Sequence, residues 1–362
     1  MEPQQLISYI ALAAPATRRP APKDLPFLRP EIGFTPKWYH QALGIDFGVR
    51  YHTDPAYRKK GMLQMREEVD RRFPFNRIGK MEEDSVLDLL TGVYGACTIA
   101  AMYGVPIRFD DEQWPRSEHF VLSDEAMRQL KPIVPETNPF FQTILEQVDI
   151  IASIEGEVTG FINWQGVLNN AHRLRGQQLF MDMLIDPEMT LNFLECITST
   201  MIDSARMLQE YQKRTGFKYS FFTVSNCLVN MIQPELYQEY ILPFDKKISE
   251  AFDSIGIHNC AWDASPYLID YASVPKVGYL DMGLASDLVR ARSLFPGSRR
   301  SLMYTPMDLA NKSMEEIQRD LEFIAVNYGP CDIVAADIEA GTPDKRVQKF
   351  LQICDELSKN FS

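Results

Sequence analysis

The chain has 362 residues, of which 45% are apolar, 11% are aromatic and 24% are charged. This composition is typical of a globular protein with a large core, and no apolar run is long enough for a membrane helix. The formal net charge of −12 argues against nucleic acid as a partner, because phosphate binding requires a basic surface. The first residues lack the basic segment of a secretory signal, so we expect a cytoplasmic protein that does not act on membranes.

The N-terminal region is rich in proline, from Pro3 to Pro36. Proline fixes the backbone and removes a hydrogen-bond donor, which disfavours regular helices and strands. The sequence therefore predicts an extended N-terminal arm over residues 1–40, followed by one domain over residues 41–362.

Beyond the arm, short apolar runs rich in β-branched and aromatic residues alternate with helical patterns. The predicted strands are 157–163, 218–225, 255–258, 276–281, 301–304 and 332–337. Helix starts follow several of them, including Asp186-Pro187, Gln233-Pro234 and the capping box Ser313-x-x-Glu316. Six such units, with room for two more between residues 45 and 150, predict an α/β protein, a (β/α)8 barrel with a Pro-rich N-terminal extension. The alternative is an open doubly wound sheet, but the glycine-rich loop typical of that fold is missing.

Polar residues follow most of the predicted strands. The active site of a (β/α)8 barrel lies at the carboxyl ends of its strands, so these residues are candidates for function. Helix capping explains any single one of them equally well, but not the whole set. The set comprises Asn163, Trp164, Gln165, Ser225, Asn226, Cys227, His258, Asn259, Cys260, Asp281, Tyr304, Asp337 and Glu339.

His258 and Cys260 are candidate metal ligands, because residues i and i+2 of a strand point to the same face. Taken alone, the pair is weak evidence, since a buried cysteine is more often structural. Asp337 is a better third ligand than Cys331, because the two lie at opposite ends of one predicted strand, roughly 20 Å apart. Cys227 lies just beyond a strand end and is either a substrate contact or a packing residue.

The segment from about Met231 to Val347 resembles the uroporphyrinogen decarboxylase superfamily. The resemblance rests on 233–243 (QPELYQEYILP), His258-x-Cys260, 287–292 (DLVRAR) and the last strand running into Thr342-Pro343. It implies a (β/α)8 barrel and two functional branches, a metal-free porphyrinogen decarboxylase and a group of zinc-dependent methyltransferases that use a corrinoid protein. The decarboxylase branch fits poorly, because its signature Arg-Gln-Ala-Gly-Arg-Tyr is reduced here to 49–52 (VRYH).

In the methyltransferase branch, zinc is bound by a His-x-Cys pair and by a cysteine at the end of the last strand. His258 and Cys260 match the pair, whereas Asp337 or Glu339 stands where the third cysteine would be. A carboxylate in place of a thiolate leaves a harder, more Lewis-acidic zinc that suits an oxygen ligand. The resemblance therefore implies transfer of a methyl group from a small-molecule methyl ether, of the aromatic type, to the cobalt(I) corrinoid of a partner protein.

Within this hypothesis, Asn226, Asp281 and Tyr304 orient or protonate the substrate, and His52, Asn163, Trp164 and Cys227 contact it. Three alternatives remain open at this point. The first is methyl transfer between the corrinoid and a thiol, the second is decarboxylation of a tetrapyrrole, and the third is a non-enzymatic corrinoid-binding role.

Overall fold

The computed structural model describes residues 27–73 and 86–361. Six parallel strands form one sheet in the order β1-β8-β7-β6-β5-β4, and β2 and β3 form a separate antiparallel hairpin. The strands are β1 Leu28–Phe34, β2 Ile107–Asp110, β3 Gln113–Ser117, β4 Phe221–Ser225, β5 Ser254–His258, β6 Val277–Gly283, β7 Arg299–Met303 and β8 Cys331–Ile338.

Sixteen α-helices occur in the described residues, and they cover the sheet and the irregular segments beside it. In that part of the chain none is both long and apolar enough to cross a membrane. The helices are α1 Pro36–Leu43, α2 Val49–Thr53, α3 Pro55–Arg72, α4 Thr98–Met102, α5 Asp124–Gln129, α6 Pro139–Glu155, α7 Val167–Arg175, α8 Gln178–Ile185, α9 Pro187–Arg214, α10 Pro234–Tyr240, α11 Leu242–Ala251, α12 Leu268–Ala272, α13 Leu288–Leu294, α14 Pro306–Asn311, α15 Met314–Tyr328 and α16 Asp344–Asn360.

The fold is a (β/α)8 barrel, as the sequence predicted. Six strands are joined by ladders. Segment 158–166 contacts β4, and segment 86–91 contacts segment 158–166. Asn163 accepts a hydrogen bond from Ser225 of β4 at 3.5 Å, and Thr91 accepts one from the backbone N–H of Phe161 at 3.1 Å. The strand predicted over 157–163 is therefore an irregular segment, because local side-chain hydrogen bonds, such as Asn163 to the N–H of Gln165, replace the ladder.

The predicted arm extends too far into the chain. Residues 28–34 form β1, which pairs in parallel with β8 from Leu28–Cys331 to Phe34–Ile338, and the boundary at residue 40 falls inside α1. The proline at position 30 is compatible with this strand, because β1 is an edge of the hydrogen-bonded sheet. The rest of the predicted arm, residues 1–26, lies outside the described residues.

The pleat of the strands sorts their side chains into two environments. Asp332 of β8 points into the barrel, where Arg29 of β1 donates to it at 2.5 Å and Arg299 of β7 at 3.1 Å. Val334 and Ala336, on the same face of β8, form a small apolar cluster separate from the main core. The residues that alternate with these along the strands point outward and pack against the helices in the main core. This alternation decides which residues at the strand ends can face the mouth of the barrel.

Candidate metal centre

Two neighbouring strands place two cysteines and a histidine together. His258 ends β5 and pairs with Ser225, the last residue of β4. Cys260 and Cys227 each lie two residues beyond this pair, in the turns that follow the two strands, and their sulfur atoms are in contact. The register of β4 against β5 therefore brings the two thiols side by side at the mouth of the barrel.

The three candidate ligand atoms are close to one another. The Sγ atoms of Cys227 and Cys260 are 2.8 Å apart, and the Cys260 Sγ is 3.0 Å from the Nε2 of His258. All three atoms lie within 4.8 Å of one another, and no other group of this kind occurs in residues 27–73 and 86–361. Cys260 has a φ of 58°, a left-handed conformation that is uncommon for a residue with a side chain and that is found at functional sites.

The imidazole of His258 is held by a buried carboxylate. Its Nδ1 is 2.5 Å from Oδ2 of Asp281, which also accepts from the hydroxyl of Tyr279 at 2.8 Å. The other oxygen of Asp281 accepts from the backbone N–H of Asn259 at 2.8 Å. Since Nδ1 is engaged, Nε2 is the nitrogen that faces the cysteines. A carboxylate behind a histidine is the usual support of a metal-binding imidazole.

The three groups also shift one another's pKa values. The hydrogen bond with Cys260 lowers the pKa of the Cys227 thiol well below its ordinary value, against the opposing effect of burial. The same hydrogen bond, together with burial, raises the pKa of Cys260 well above its ordinary value. Burial lowers the pKa of His258, but the charges of Asp281 and the two cysteines outweigh it and raise that pKa overall. The pKa values of the three groups therefore depend on one another and on Asp281.

This set of donors fits zinc. Two thiolates and one neutral imidazole nitrogen are ordinary zinc ligands, and three protein ligands leave a fourth position for a substrate, as in catalytic zinc sites. Cys227 and Cys260 are partly exposed, whereas His258 is buried, so the sulfur side of the cluster is the side open to a substrate.

The loop that carries Cys260 packs tightly on β6. A Cβ atom at Gly283 would lie 2.0 Å from the carbonyl oxygen of Ala261, and the N–H of Gly283 donates to the carbonyl of Trp262 at 3.0 Å. Only glycine permits this close approach. The position of Cys260 therefore depends on β6 as well as on β5.

A second layer of hydrogen bonds lies behind the cysteine loops. Asn226 donates to the carboxylate of Asp245 at 2.7 Å, and Tyr237 donates to the same oxygen at 2.7 Å. Tyr271 donates to the side chain of Asn259 at 2.8 Å. Asn226 was predicted to act on the substrate, but its side chain is buried and points outward to α11. Its contacts support a positioning role for the loop of Cys227.

Asp281 and Tyr304, the other two predicted catalytic residues, have different environments. Asp281 lies at the site, but its oxygens are engaged by His258, Tyr279 and Asn259, so it orients the imidazole. Tyr304 is buried among the helices, and its hydroxyl donates to Asp320 of α15 at 2.8 Å. Tyr304 follows the inward-facing Met303, so its side chain faces away from the mouth of the barrel. The prediction that Tyr304 acts on the substrate is therefore corrected.

The predicted third ligand, Asp337, is not in the ligand group. It is the last residue but one of β8 and has a φ of 54°, and its neighbour is the indole of Trp114 in the β2–β3 hairpin. Cys227, which was predicted as a substrate contact, takes the place beside His258 and Cys260. Glu339, the alternative third ligand, is exposed and also absent from the group.

The three remaining predicted substrate contacts are buried. His52 is fully buried and accepts from the N–H of Tyr94 at 3.0 Å, and burial lowers its pKa to about 3. Trp164 is buried and stacks on Phe222 at 6.5 Å. Asn163 accepts hydrogen bonds from Gln165. These contacts favour structural roles.

Replacing Asp281 by asparagine should weaken zinc binding by about 10–100-fold, the usual effect of losing a supporting partner of a metal ligand. Asparagine has one acceptor oxygen for the three donors that Asp281 now accepts, and it carries no charge. The measurement is zinc affinity by competition with a chelator. The matched control is Tyr279→Phe, which removes one donor and should have a smaller effect. Unchanged affinity in a folded Asp281→Asn protein would contradict the orienting role.

Tyr279 and Asp245 were missed in the sequence. Tyr279 could have been found, because it lies two residues before Asp281 on the same strand face. Asp245 has no such signal, since it lies on a helix and meets Asn226 only through the packing of α11 on β4.

Comparison with known proteins agrees with the fold. A family model described as uroporphyrinogen decarboxylase (URO-D) matches residues 83–281, a range that contains all three candidate ligands. Among solved structures, a methyltransferase from Methanosarcina mazei is similar, with a TM-score of 0.62 and 12% sequence identity. The similarity covers 96% of this chain and 99% of that chain, and at this identity it shows the fold alone. No curated protein matches the chain significantly.

Proposed function

The chain belongs to the uroporphyrinogen decarboxylase family, and from that premise we propose that it is a zinc-dependent methyltransferase that exchanges a methyl group between the corrinoid of a partner protein and a thiol substrate. The observation that carries the proposal is the cluster of Cys227, His258 and Cys260. The similarity of fold to the methyltransferase from Methanosarcina mazei supports it.

The choice of a thiol follows from the third ligand. The prediction of a methyl ether depended on a carboxylate at Asp337, whereas the geometry favours the sulfur of Cys227 in that place. Two thiolates make a softer site than one thiolate and one carboxylate, and a softer site favours a sulfur substrate over an oxygen substrate. Cleavage of a methyl ether stays a prediction, which the same assay tests.

The chemistry requires a nucleophilic sulfur at neutral pH. When bound, zinc lowers the pKa of a coordinating thiol and so keeps the substrate as a thiolate. The substrate sulfur then attacks the methyl carbon of the methylcorrinoid. A carbon–sulfur bond forms, the carbon–cobalt bond breaks, and its electron pair remains on cobalt as cobalt(I). The proton of the substrate thiol is released to solvent.

The residues of the chain hold the reacting groups in place. Asp281 keeps the Nε2 lone pair of His258 directed at the centre, and the register of β4 against β5 fixes the two cysteines. Because Cys227 and Cys260 are the partly exposed members of the cluster, the substrate reaches the centre from the mouth of the barrel. The face of the corrinoid must therefore approach from the same side.

The test uses purified full-length protein, free methylcobalamin and a panel of small thiols. We expect a methyl thioether and cob(I)alamin as products, with activity lost after chelation of zinc and restored when zinc is returned. A parallel reaction contains cob(I)alamin and aryl methyl ethers.

The outcomes separate the alternatives. Methyl transfer from ethers without transfer to thiols would overturn the thiol assignment and restore the oxygen donor. Failure of both reactions in the zinc-loaded protein, including with a corrinoid protein as the methyl carrier, would contradict the proposal that the chain is a methyltransferase. Decarboxylation of uroporphyrinogen by metal-free protein would replace it with the other branch of the family.

A further inference from the structure

A cleft between helices α4 and α6 and strand β2 has no part in the chemistry proposed above. Its volume is about 570 Å³, and the end of α2 completes its wall. None of the three candidate zinc ligands lines it. Clefts of this volume commonly bind molecules of drug-like size. It is therefore a candidate binding site separate from the metal centre.

The walls of the cleft are apolar and partly aromatic. Val105, Ile107, Phe109 and Phe140 contribute to them. The rings of Phe109 and Phe140 are partly exposed, and their centroids lie 6.4 and 4.9 Å from that of Tyr94, which also lines the cleft. Rings arranged in this way offer faces and edges against which another aromatic ring can pack.

A chain of hydrogen bonds leads from a buried charge to this wall. The guanidinium of Arg58 is buried and donates through Nη2 to Oε1 of Gln147 at 2.9 Å. Its other donors bind the backbone carbonyl oxygens of Tyr51 at 2.6 Å and Leu89 at 2.7 Å. Because arginine has only donors, it fixes the orientation of the Gln147 amide. The Nε2 of Gln147 therefore donates to the hydroxyl of Tyr94, at 3.1 Å.

The hydroxyl of Tyr94 is left with a proton to donate. Its oxygen accepts from Gln147, and no side chain or carbonyl in residues 27–73 and 86–361 accepts from it. Tyr94 is buried and, like Gln147, lines the cleft, so the contact between the two lies at the wall. A buried donor without an acceptor costs free energy, which a ligand with an acceptor atom restores.

Tyr94 is also held in a fixed position. Its φ is 57°, in the left-handed region that residues with a side chain rarely adopt. Its backbone N–H donates at 3.0 Å to Nδ1 of His52, a buried residue of α2. A donor fixed in this way loses little freedom when a ligand binds.

We propose that the cleft binds an aromatic small molecule with one neutral carbonyl oxygen, which accepts a hydrogen bond from the hydroxyl of Tyr94. A purely apolar molecule would leave this donor unpaired. Of the described residues that line the cleft, only Glu146 carries a charged side chain, so a carboxylate ligand would find no cation there. The binding depends on neither zinc nor methyl transfer, and the proposal goes beyond the function proposed above.

The test measures binding to the purified full-length protein by isothermal titration calorimetry. The probes are indanone and indane, which share one fused ring system and differ in the carbonyl oxygen. We expect indanone to bind about 10-fold more tightly, the size of effect of one well-placed hydrogen bond. Tyr94→Phe should lower the affinity for indanone to that for indane, and the affinity for indane should stay unchanged.

Two further variants locate the binding. Thr143 is an exposed residue of α6 in the lining, so Thr143→Trp should occlude the cleft without entering the core and should weaken the binding of both probes. Tyr304→Phe is the matched control. It removes the hydroxyl of another buried tyrosine, which donates to Asp320, and should leave both affinities unchanged.

The outcomes decide the proposal. Equal affinities for the two probes, no binding of either, unchanged binding in Thr143→Trp or a preference that survives Tyr94→Phe would overturn it. The titrations are repeated after zinc has been removed by a chelator. The preference for indanone should persist, because no candidate zinc ligand lines the cleft. A preference that disappears with zinc would place the carbonyl at the metal centre and would also overturn the proposal.

Discussion

Cys227→Ser is expected to lose bound zinc and, with it, methyl-transfer activity. The loss of zinc affinity should exceed the roughly 100-fold that replacing a hydrogen-bond partner of a metal ligand can cost. Serine is nearly the same size as cysteine, but its hydroxyl is a much poorer zinc ligand than a thiolate. The structure places the Cys227 sulfur 2.8 Å from that of Cys260. Zinc content by elemental mass spectrometry and thioether formation are the two measurements.

The matched control for Cys227→Ser is Asp337→Ala. If Cys227, His258 and Cys260 bind the metal, all three ligands are intact in Asp337→Ala, so this variant keeps about one zinc per chain. The reverse pattern, in which Asp337→Ala loses zinc and Cys227→Ser keeps it, would restore the carboxylate site and the methyl-ether hypothesis.

Asp332→Ala is expected to destabilise the protein by about 3–5 kcal/mol, the usual cost of removing one partner from a buried ion pair. Asp332 is fully buried and accepts from Arg29 and Arg299, which are each 5% exposed. Its removal leaves two buried guanidinium groups without this carboxylate. The free energy of unfolding, from urea denaturation with the slope held constant, measures the effect.

The control for Asp332→Ala is Glu210→Ala. Glu210 pairs with Lys213 at 3.3 Å, and both side chains are more than half exposed, so the expected change is within about 1 kcal/mol. Equal effects of the two substitutions would show that the ion pairs of Asp332 with Arg29 and Arg299 do not stabilise the barrel.

The barrel could be predicted from the sequence because its signals are local. The alternation of apolar runs with capped helices marks each unit, and the predicted capping box of Ser313 and Glu316 is confirmed at the start of α15. The first strand was missed for the opposite reason. Residues 28–34 contain a proline and lie in a Pro-rich region, and only the pairing with β8, some 300 residues later, makes them a strand.

The His258-x-Cys260 part of the site was visible because both residues belong to one strand end. Cys227 was predicted as a substrate contact and not as a ligand, since its place beside Cys260 depends on the register between β4 and β5, and single sequences carry no direct signal for register. Once Ser225 is known to pair with His258, the contact between Cys227 and Cys260 follows directly.

Asp337 and Tyr304 illustrate two further limits. Tyr304 follows Met303, which lines the barrel, so the alternation of side chains along a strand directs Tyr304 outward. The prediction considered only that Tyr304 follows the end of a strand, and not which face of the strand its side chain is on. Asp337 could not be placed by alternation at all, because a bulge in β8 changes the direction of its side chain.

The most direct test of the metal centre is the zinc X-ray absorption spectrum of the purified protein. A site built from Cys227, His258 and Cys260 predicts two sulfur atoms at about 2.3 Å and at least one nitrogen at about 2.0 Å from zinc. A single sulfur with two or more oxygen or nitrogen neighbours would contradict the two-thiolate site, and with it the assignment of a thiol substrate.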